Sequence, residues 1–445
     1  MVERVAADSP ELASRIDYLT DQATAAKTLH RRIASLRNSK RFVDYGGSRE
    51  VAAQIDALAD DIEADILPVD AAAALSLAEK LFSLDAKIFN RADDSGGSIG
   101  LSLRNACVLW LSAAVATREA AKASSAPATD WVATLYELYQ SNDYGIREPL
   151  LKEASRLLTE PELRALAARF ERDTLEALER ARNGEAEFHR VFTPSSAMGL
   201  VAESLRDPVL HERSIRIYSP EPNELQAADI AEQYLQCGDA AGALHWLEKE
   251  WGSRNEHQRL GLLDRAYAQL GDTGRQMDIR REAYQKAPSI HTYRALEEVL
   301  PQAERAQFRV QACAQAKVNP SAATGAEILF ALGEPVLAEE LIVDRVEELD
   351  GRRYGLLTEL AAAAKTSGRF LAATLLWRAL LDAILARAYA KAYHHAADYL
   401  HELRAAAQNV ADYRGQPTHV QYEESLRVRH GRKSSFWAHV EGSGR

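Results

Sequence analysis

Cysteine is nearly absent: Cys107, Cys237 and Cys313 are the only three in 445 residues. They are odd in number, far apart and form no CxxC pair, which excludes a disulfide framework and a cysteine-built zinc site. Free buried thiols in a reducing compartment are expected, and with them a cytoplasmic location. Long apolar runs are missing too. The nearest, residues 106–116, is short and is followed by Arg118 and Glu119, so no membrane span is expected. The start, Met1-Val2-Glu3-Arg4, lacks the basic and apolar blocks of a signal peptide. Positive charge is in deficit, 54 Lys and Arg against 65 Asp and Glu, a net charge of −11. Long-range steering then opposes a polyanion unless a local basic patch overrides it, so nucleic acid is disfavoured as a partner. No Walker loop, Rossmann glycine pattern or G-x-S-x-G elbow is present. No catalytic residue, metal ligand or cofactor is assigned, and an enzyme is the lesser expectation.

What remains is a helix-forming chain. Hydrophobic residues make up 47% of it, enough for a sizeable core, and alanine and leucine are dense while strand-like alternation is scarce. Start signals recur at Ser9-Pro10, at Ser48, at Asp130 after a loop holding Pro127, and at Thr159-Glu160-Pro161-Glu162. Tyr234, Gly238 and Ala243 are echoed by Tyr267 and Gly271, with the two glycines 33 residues apart, close to the tetratricopeptide period of about 34. Leu332-Gly333 and Ser367-Gly368 recur 35 residues apart. The fold expected is all-α: a tetratricopeptide-like helical-repeat solenoid with an N-terminal helical module. The module covers residues 1–182. An irregular connector with Pro194, Pro208, Pro220 and Pro222 covers 183–223, with helix open to it around 198–206 or 209–217; the repeat array covers 224–385, and capping helices with a tail 386–445.

Four clusters carry candidate chemistry. The run Lys27, His30, Arg31, Arg32, Arg37, Lys40, Arg41 has no acid between Thr28 and Val43. Such a helix meets an acidic surface or nucleic-acid backbone, or else pairs with Asp56, Asp60, Asp61, Glu63 and Asp65 nearby. In the second, His394 and Asp398 stand four apart on one helical face, with His395, His401, His419 and His430 in the same region. This is either a transition-metal site or a set of histidines bonded to carboxylates, and HExxH is not met. Arg427, Arg429, His430, Arg432 and Lys433 with Phe436-Trp437 form the third, a phosphate- and base-binding pattern or a cap helix docked by its aromatics. Asp93, Asp94 and Ser98 flank a Gly-Gly turn without EF-hand spacing, which points to helix capping rather than calcium.

Two groups of residues carry a family likeness. One is Arg37 to Tyr45 with Asp93-Asp94-Ser95-Gly96 and Ile99-Gly100. The other is Tyr389, His394-His395-Ala396, Tyr399-Leu400, Leu403, Tyr422, Leu426, His430, Arg432-Lys433 and Trp437. Together they resemble a bacterial family of unknown function whose helical region is similar to that accompanying SWIM zinc fingers. A SWIM finger requires C-x-C followed by C-x-H, which Cys107, Cys237 and Cys313 do not supply. The resemblance implies an α-helical protein and brings no activity with it. The functional expectation is a non-catalytic scaffold for a protein or peptide. Arg31, Arg37, Arg41, His394, His395, Asp398, His430, Arg432 and Lys433 are the candidate binding residues. Nucleic-acid association through the basic patches and a metal-dependent enzyme built on the histidines are the alternatives.

Overall fold

Helix follows helix through the computed structural model, which describes residues 10–124, 129–249 and 251–442, the side chains of 10–23 and 124 apart. The start expected at Ser9 and the loop expected around Pro127 lie outside the described residues. Among the described residues the only β feature is one isolated bridge, Val43 to Ala92. The chain is all-α, and it divides into two compact units, Met1–Asn255 and Glu256–Arg445.

The first unit carries α1 (Pro10–Asn38), α2 (Ser48–Asp61, running into a π turn at Ile62–Ile66), α3 (Ala71–Phe82), α4 (Asp85–Phe89) and α5 (Ser98–Ser124). It continues with α6 (Trp131–Gln140), α7 (Glu148–Lys152), α8 (Glu160–Arg182), α9 (Phe192–Leu205), α10 (Pro208–Arg216), α11 (Glu224–Gln236) and α12 (Ala240–Leu247). The stretch expected as an irregular connector thus holds two helices, α9 and α10, the second opened by Pro208 at its first turn. Helix α5 is the core element. Ile99, Leu103, Ala106, Cys107, Trp110 and Leu111 on it are fully or almost fully buried, and α2 and α3 pack against it. By length and composition α5, which contains the apolar run 106–116, is the one described helix able to cross a membrane. More than half of it is buried inside the unit, as a core helix would be.

Local chemistry sets the helix starts. Asp130 accepts from the amide of Ala133, and Asp94 accepts from the amides of Ile99 and Gly100 at the head of α5. Those bonds occupy donors a helix leaves free. Ser48 does not cap α2 as expected, because its hydroxyl donates to the carbonyl of Tyr45 instead. At α8, Thr159 and Glu162 form the expected capping box, and Arg118 of α5 grips the same carboxylate at 2.9 Å.

The second unit contains α13 (Glu256–Leu270), α14 (Thr273–Lys286), α15 (Ile290–Val299), α16 (Gln302–Lys317), α17 (Ala322–Ala331) and α18 (Pro335–Asp344). It ends with α19 (Tyr354–Thr366), α20 (Phe370–Ala386), α21 (Tyr393–Ala407), α22 (His419–His430) and α23 (Ser434–Gly442). Glycine turns join α11 to α12, α13 to α14, α17 to α18 and α19 to α20. Gly238, Gly271, Gly333 and Gly368 sit at φ 84°, 69°, 71° and 69°, the left-handed region that costs glycine nothing. In each turn the amide after the glycine reaches back to a carbonyl five residues earlier, as in Asp239 to Tyr234 (2.9 Å) and Glu334 to Leu329 (2.9 Å). The glycines do not recur at one period. Sixty-two residues separate Gly271 from Gly333, and α15 and α16 are joined through Leu300 and Pro301 instead.

Two carboxylates, Glu162 half-buried and Glu256 buried, make stability pH-dependent. Burial resists ionisation of Glu162, yet the bonds from Arg118 and Thr159 bring its pKa down from 4.5 to about 2. Glu256 is held at about 2 by Arg259 first and by Lys286, against the effect of burial. A depressed native pKa gives stability that is fully present above the unfolded value and is lost as pH falls through the native one. Glu162→Gln and Glu256→Gln are therefore expected to cost about 1–2 kcal/mol each at pH 7 after solvent screening. In urea titrations that gap should close between about pH 4.5 and pH 2. A gap that persists at the acid end would assign these residues a packing role only.

Candidate functional site

The basic run of the first unit divides into spent and free charge. Arg32 pairs with Asp61, and His30 Nδ1 lies 3.3 Å from Lys80 Nζ. Arg31 folds back onto Lys27 O and Thr28 Oγ1 of its own helix. Arg37, Lys40 and Arg41 are exposed and have no acidic partner among the described residues. Of the acidic stretch expected to neutralise the run, Asp61 alone engages it through an ion pair among the described residues.

The C-terminal cluster is drawn into structure. The Arg427 guanidinium lies 4.4 Å from the centre of the Trp437 ring and also pairs with Glu423. Arg429 pairs with Asp382 at 3.2 Å, and Trp437 Nε1 donates to the carbonyl of His430. Phe436 and Trp437 are buried, so α23 is docked by its aromatics. Arg432 and Lys433 remain without an acidic partner among the described residues. His394, His395 and Asp398 are exposed on α21, and the two imidazole rings stand 3.9 Å apart. His419 Nε2 lies 3.4 Å from Glu423 Oε2 but lacks hydrogen-bond geometry. Burial pushes the pKa of His419 and of His430 down, so both are neutral at pH 7. No hydrogen bond joins His394, Asp398 and His430 among the described residues. Nor do any three His, Cys, Asp or Glu side chains gather there as a metal site would require.

Among the concavities, two stand apart from both clusters. A broad trough in the first unit, about 1070 Å³, is walled by Trp246, Trp251, Pro220 and Pro222. Two of its four carboxylates are engaged: Glu212 accepts from Tyr234 Oη, and Glu224 accepts from Gly252 N and Asn255 Nδ2. The second, in the Glu256–Arg445 unit, is a groove of about 230 Å³ over α14, α15 and α16. Its floor is buried and apolar: Tyr284, Leu296, Leu300 and Phe308. Its rim is polar and exposed: Gln285, Glu304, Gln307, Gln311 and Gln315, with Arg281 partly covered.

The groove differs from the trough in holding a buried polar group without a partner. Tyr284 is only 3% exposed, packs 5.2 Å from Phe308, and its hydroxyl has no hydrogen-bond partner. Such a buried, unpaired group costs on the order of 1–3 kcal/mol. Its neighbour Tyr293 donates to Glu297 at 2.7 Å, so the deficit belongs to Tyr284 alone in this aromatic trio. Gln307, Gln311 and Gln315 recur every fourth residue on one face of α16. Their amides, and that of Gln285, make no hydrogen bonds among the described residues. Each amide is both donor and acceptor, the complement of a peptide backbone. The glutamine spacing was visible in the sequence and was passed over. The unpaired hydroxyl of Tyr284 had no sequence signal.

The family described as "Family of unknown function (DUF6880)" matches residues 11–211 and 214–439. No curated protein matches the chain. A solved structure, described as a circular tandem repeat protein with novel repeat topology and enhanced subunit contact surfaces, aligns with 100% of this chain and 96% of its own. The identity is 12% and the TM-score 0.15, too little likeness to carry an argument about either fold or function.

Proposed function

Because the chain belongs to DUF6880, a family of unknown function, no activity reaches it by descent, and we propose from its own geometry a non-catalytic scaffold that binds a protein segment. The observation that carries this is the amide-rimmed groove above the unpaired hydroxyl of Tyr284. A segment lying along α16 exchanges main-chain hydrogen bonds with Gln307, Gln311 and Gln315. One of its side chains enters the floor between Leu296 and Phe308, and a polar atom on it meets Tyr284 Oη. Size supports one anchoring side chain rather than a cofactor. The groove holds about 230 Å³, below the range of about 300–1,000 Å³ usual for small-molecule sites. The glycine-jointed helix pairs support a tetratricopeptide-like stacking of this unit, which would set such grooves along one surface.

The test is selection from a random peptide library on the immobilised full chain, followed by affinity measurement of the winner. Tyr284→Phe is expected to leave the melting temperature equal or raised, since it deletes a polar atom without a partner. The same substitution should weaken the selected peptide about fivefold to tenfold. Gln311→Ala, at an exposed side chain, should weaken it without touching stability. If Tyr284→Phe lowers the melting temperature and spares the peptide, the hydroxyl serves the fold and the groove is not the site. A library that yields no enriched sequence refutes the reading as well.

A further inference from the structure

The free cations of the first unit stand beside two exposed aromatic rings on a stiffened piece of backbone. After α1 ends, the chain runs extended and Val43 forms a single bridge to Ala92. Val43 N donates to Arg91 O and Asp93 N to Val43 O, both at 2.8 Å. Arg91 reaches back across the strip, one guanidinium nitrogen donating to Arg41 O at 2.9 Å and the other to Leu36 O at 3.1 Å. The strip between is thereby tied at both ends. Val43 points inward and is buried, while Phe42 is 66% exposed. Tyr45, 56% exposed, lies against Gly96, where an added Cβ would come within 3.3 Å of its ring. Arg37, Lys40 and Arg41 adjoin these rings along the chain and are exposed, without acidic partners among the described residues. Asp44, and Asp93 and Asp94 beside the bridge, are bonded to backbone amides: Asp44 accepts from Gly47 N, Asp93 from Ser95 N, and Asp94 from Ile99 N and Gly100 N.

We propose that this cationic-aromatic face, built from Arg37, Lys40, Arg41, Phe42 and Tyr45, docks an acidic protein segment that carries an apolar residue. Charge complementarity names the acid, and the exposed ring of Phe42 names the apolar residue. Aromatics and arginine are the side chains that concentrate binding energy at interfaces. The fixed backbone lowers the ordering cost of presenting them. Nucleic acid fits less well. Three free cations neutralise about three phosphates, fewer than the roughly six to ten that give duplex binders their affinity. A long polyanion would also meet the net charge of −11 carried by the rest of the chain.

The experiment is fluorescence anisotropy on the full chain with four labelled probes. They are a synthetic peptide of aspartate and glutamate around one phenylalanine, the same peptide with alanine in place of the phenylalanine, a lysine counterpart, and oligothymidine. The acidic phenylalanine peptide should bind tightest, and its affinity should fall as salt rises. The double reversal Arg37→Glu with Arg41→Glu removes no side-chain hydrogen bond or ion pair among the described residues, so the circular dichroism spectrum is kept. Arg37→Glu in the last turn of α1 lowers the melting temperature by no more than about 4 °C. The double reversal should weaken the peptide about tenfold or more. Phe42→Ala should weaken the phenylalanine peptide about fivefold and leave the alanine peptide unchanged. Equal binding by the reversed variant, oligothymidine binding as tightly as the peptide, or no peptide binding at all would overturn the proposal. The groove at Tyr284 lies in the other unit, so either reading can fail without the other.

Discussion

Gly351→Ala is expected to lower the melting temperature of the second unit by about 6–12 °C, from a loss of about 3 kcal/mol. Gly351 lies before α19, with its Cα pressed against α20. A Cβ placed there would stand 2.0 Å from the carbonyl oxygen of Ala379 and 2.6 Å from the Cβ of Ala383. Neither neighbour can turn aside, since one is helix backbone and the other has no rotamer. Alanine gains about 0.4–1 kcal/mol by restricting the unfolded chain, so the clash wins. Gly355 supplies the control. It lies four residues on, in the first turn of α19, and nothing lies within 4 Å of an added Cβ. Gly355→Ala should be neutral or stabilise by up to about 1 kcal/mol. Calorimetry of the two variants separates close approach from glycine's intrinsic cost. Equal melting temperatures would mean that α20 yields to the extra methyl.

Asp85→Ala is expected to cost the first unit about 3–5 kcal/mol, because it strands a charge inside the core. Asp85 is 3% and Arg147 6% exposed, and they meet at 3.4 Å, near the outer limit of a charged hydrogen bond. Arg147 also donates to Leu138 O at 2.8 Å and lies 5.4 Å above the ring of Phe82. Its Nε has no partner, so the guanidinium has little to lose before it becomes an uncompensated ion. The double replacement Asp85→Leu with Arg147→Met removes both charges together. It should return to within about 1–2 kcal/mol of the parent chain, since apolar pairs of similar volume replace buried ion pairs with little loss. Urea denaturation of Asp85→Leu, Arg147→Met and the double variant closes the cycle. A single variant that loses under about 1 kcal/mol would show that water already reaches the pair.

Those two sites mark the limit of what could be read from the chain. Glycine corners were legible because a left-handed residue after a helix is a local demand, met by Gly238, Gly271, Gly333 and Gly368 within a few residues of backbone. The capping box of Thr159 and Glu162 is local for the same reason. A common spacing was expected, and the first helices of successive pairs open at Glu224, Glu256, Ile290, Ala322 and Tyr354, 32 to 34 residues apart, although the corner between α15 and α16 turns through Pro301 without a glycine. Asp85 and Arg147 stand 62 residues apart, and Arg91 clasps the strip 50 and 55 residues before it. No spacing rule reaches that far. The histidines were grouped by helical register, which does place His394 and Asp398 one turn apart. Register says nothing of where α22 lies, and His419 and His430 are half-buried elsewhere. The sequence left open whether Arg37 and Arg41 pair with the acidic stretch after them, and no ion pair joins either to it among the described residues. What the sequence could not supply was the pair of exposed rings held beside them by Arg91.

The corners at Gly271, Gly333 and Gly368 share one backbone shape, although aspartate, glutamate and arginine follow them in turn. Each stop signal is self-contained, needing a single residue of the right handedness and the carbonyls of its own helix. A stretch of gene cut at two such corners carries a complete terminus with it. Duplication or deletion in this half of the protein can therefore add or remove whole hairpins without inventing a new bend. Length is the property such a lineage varies most readily.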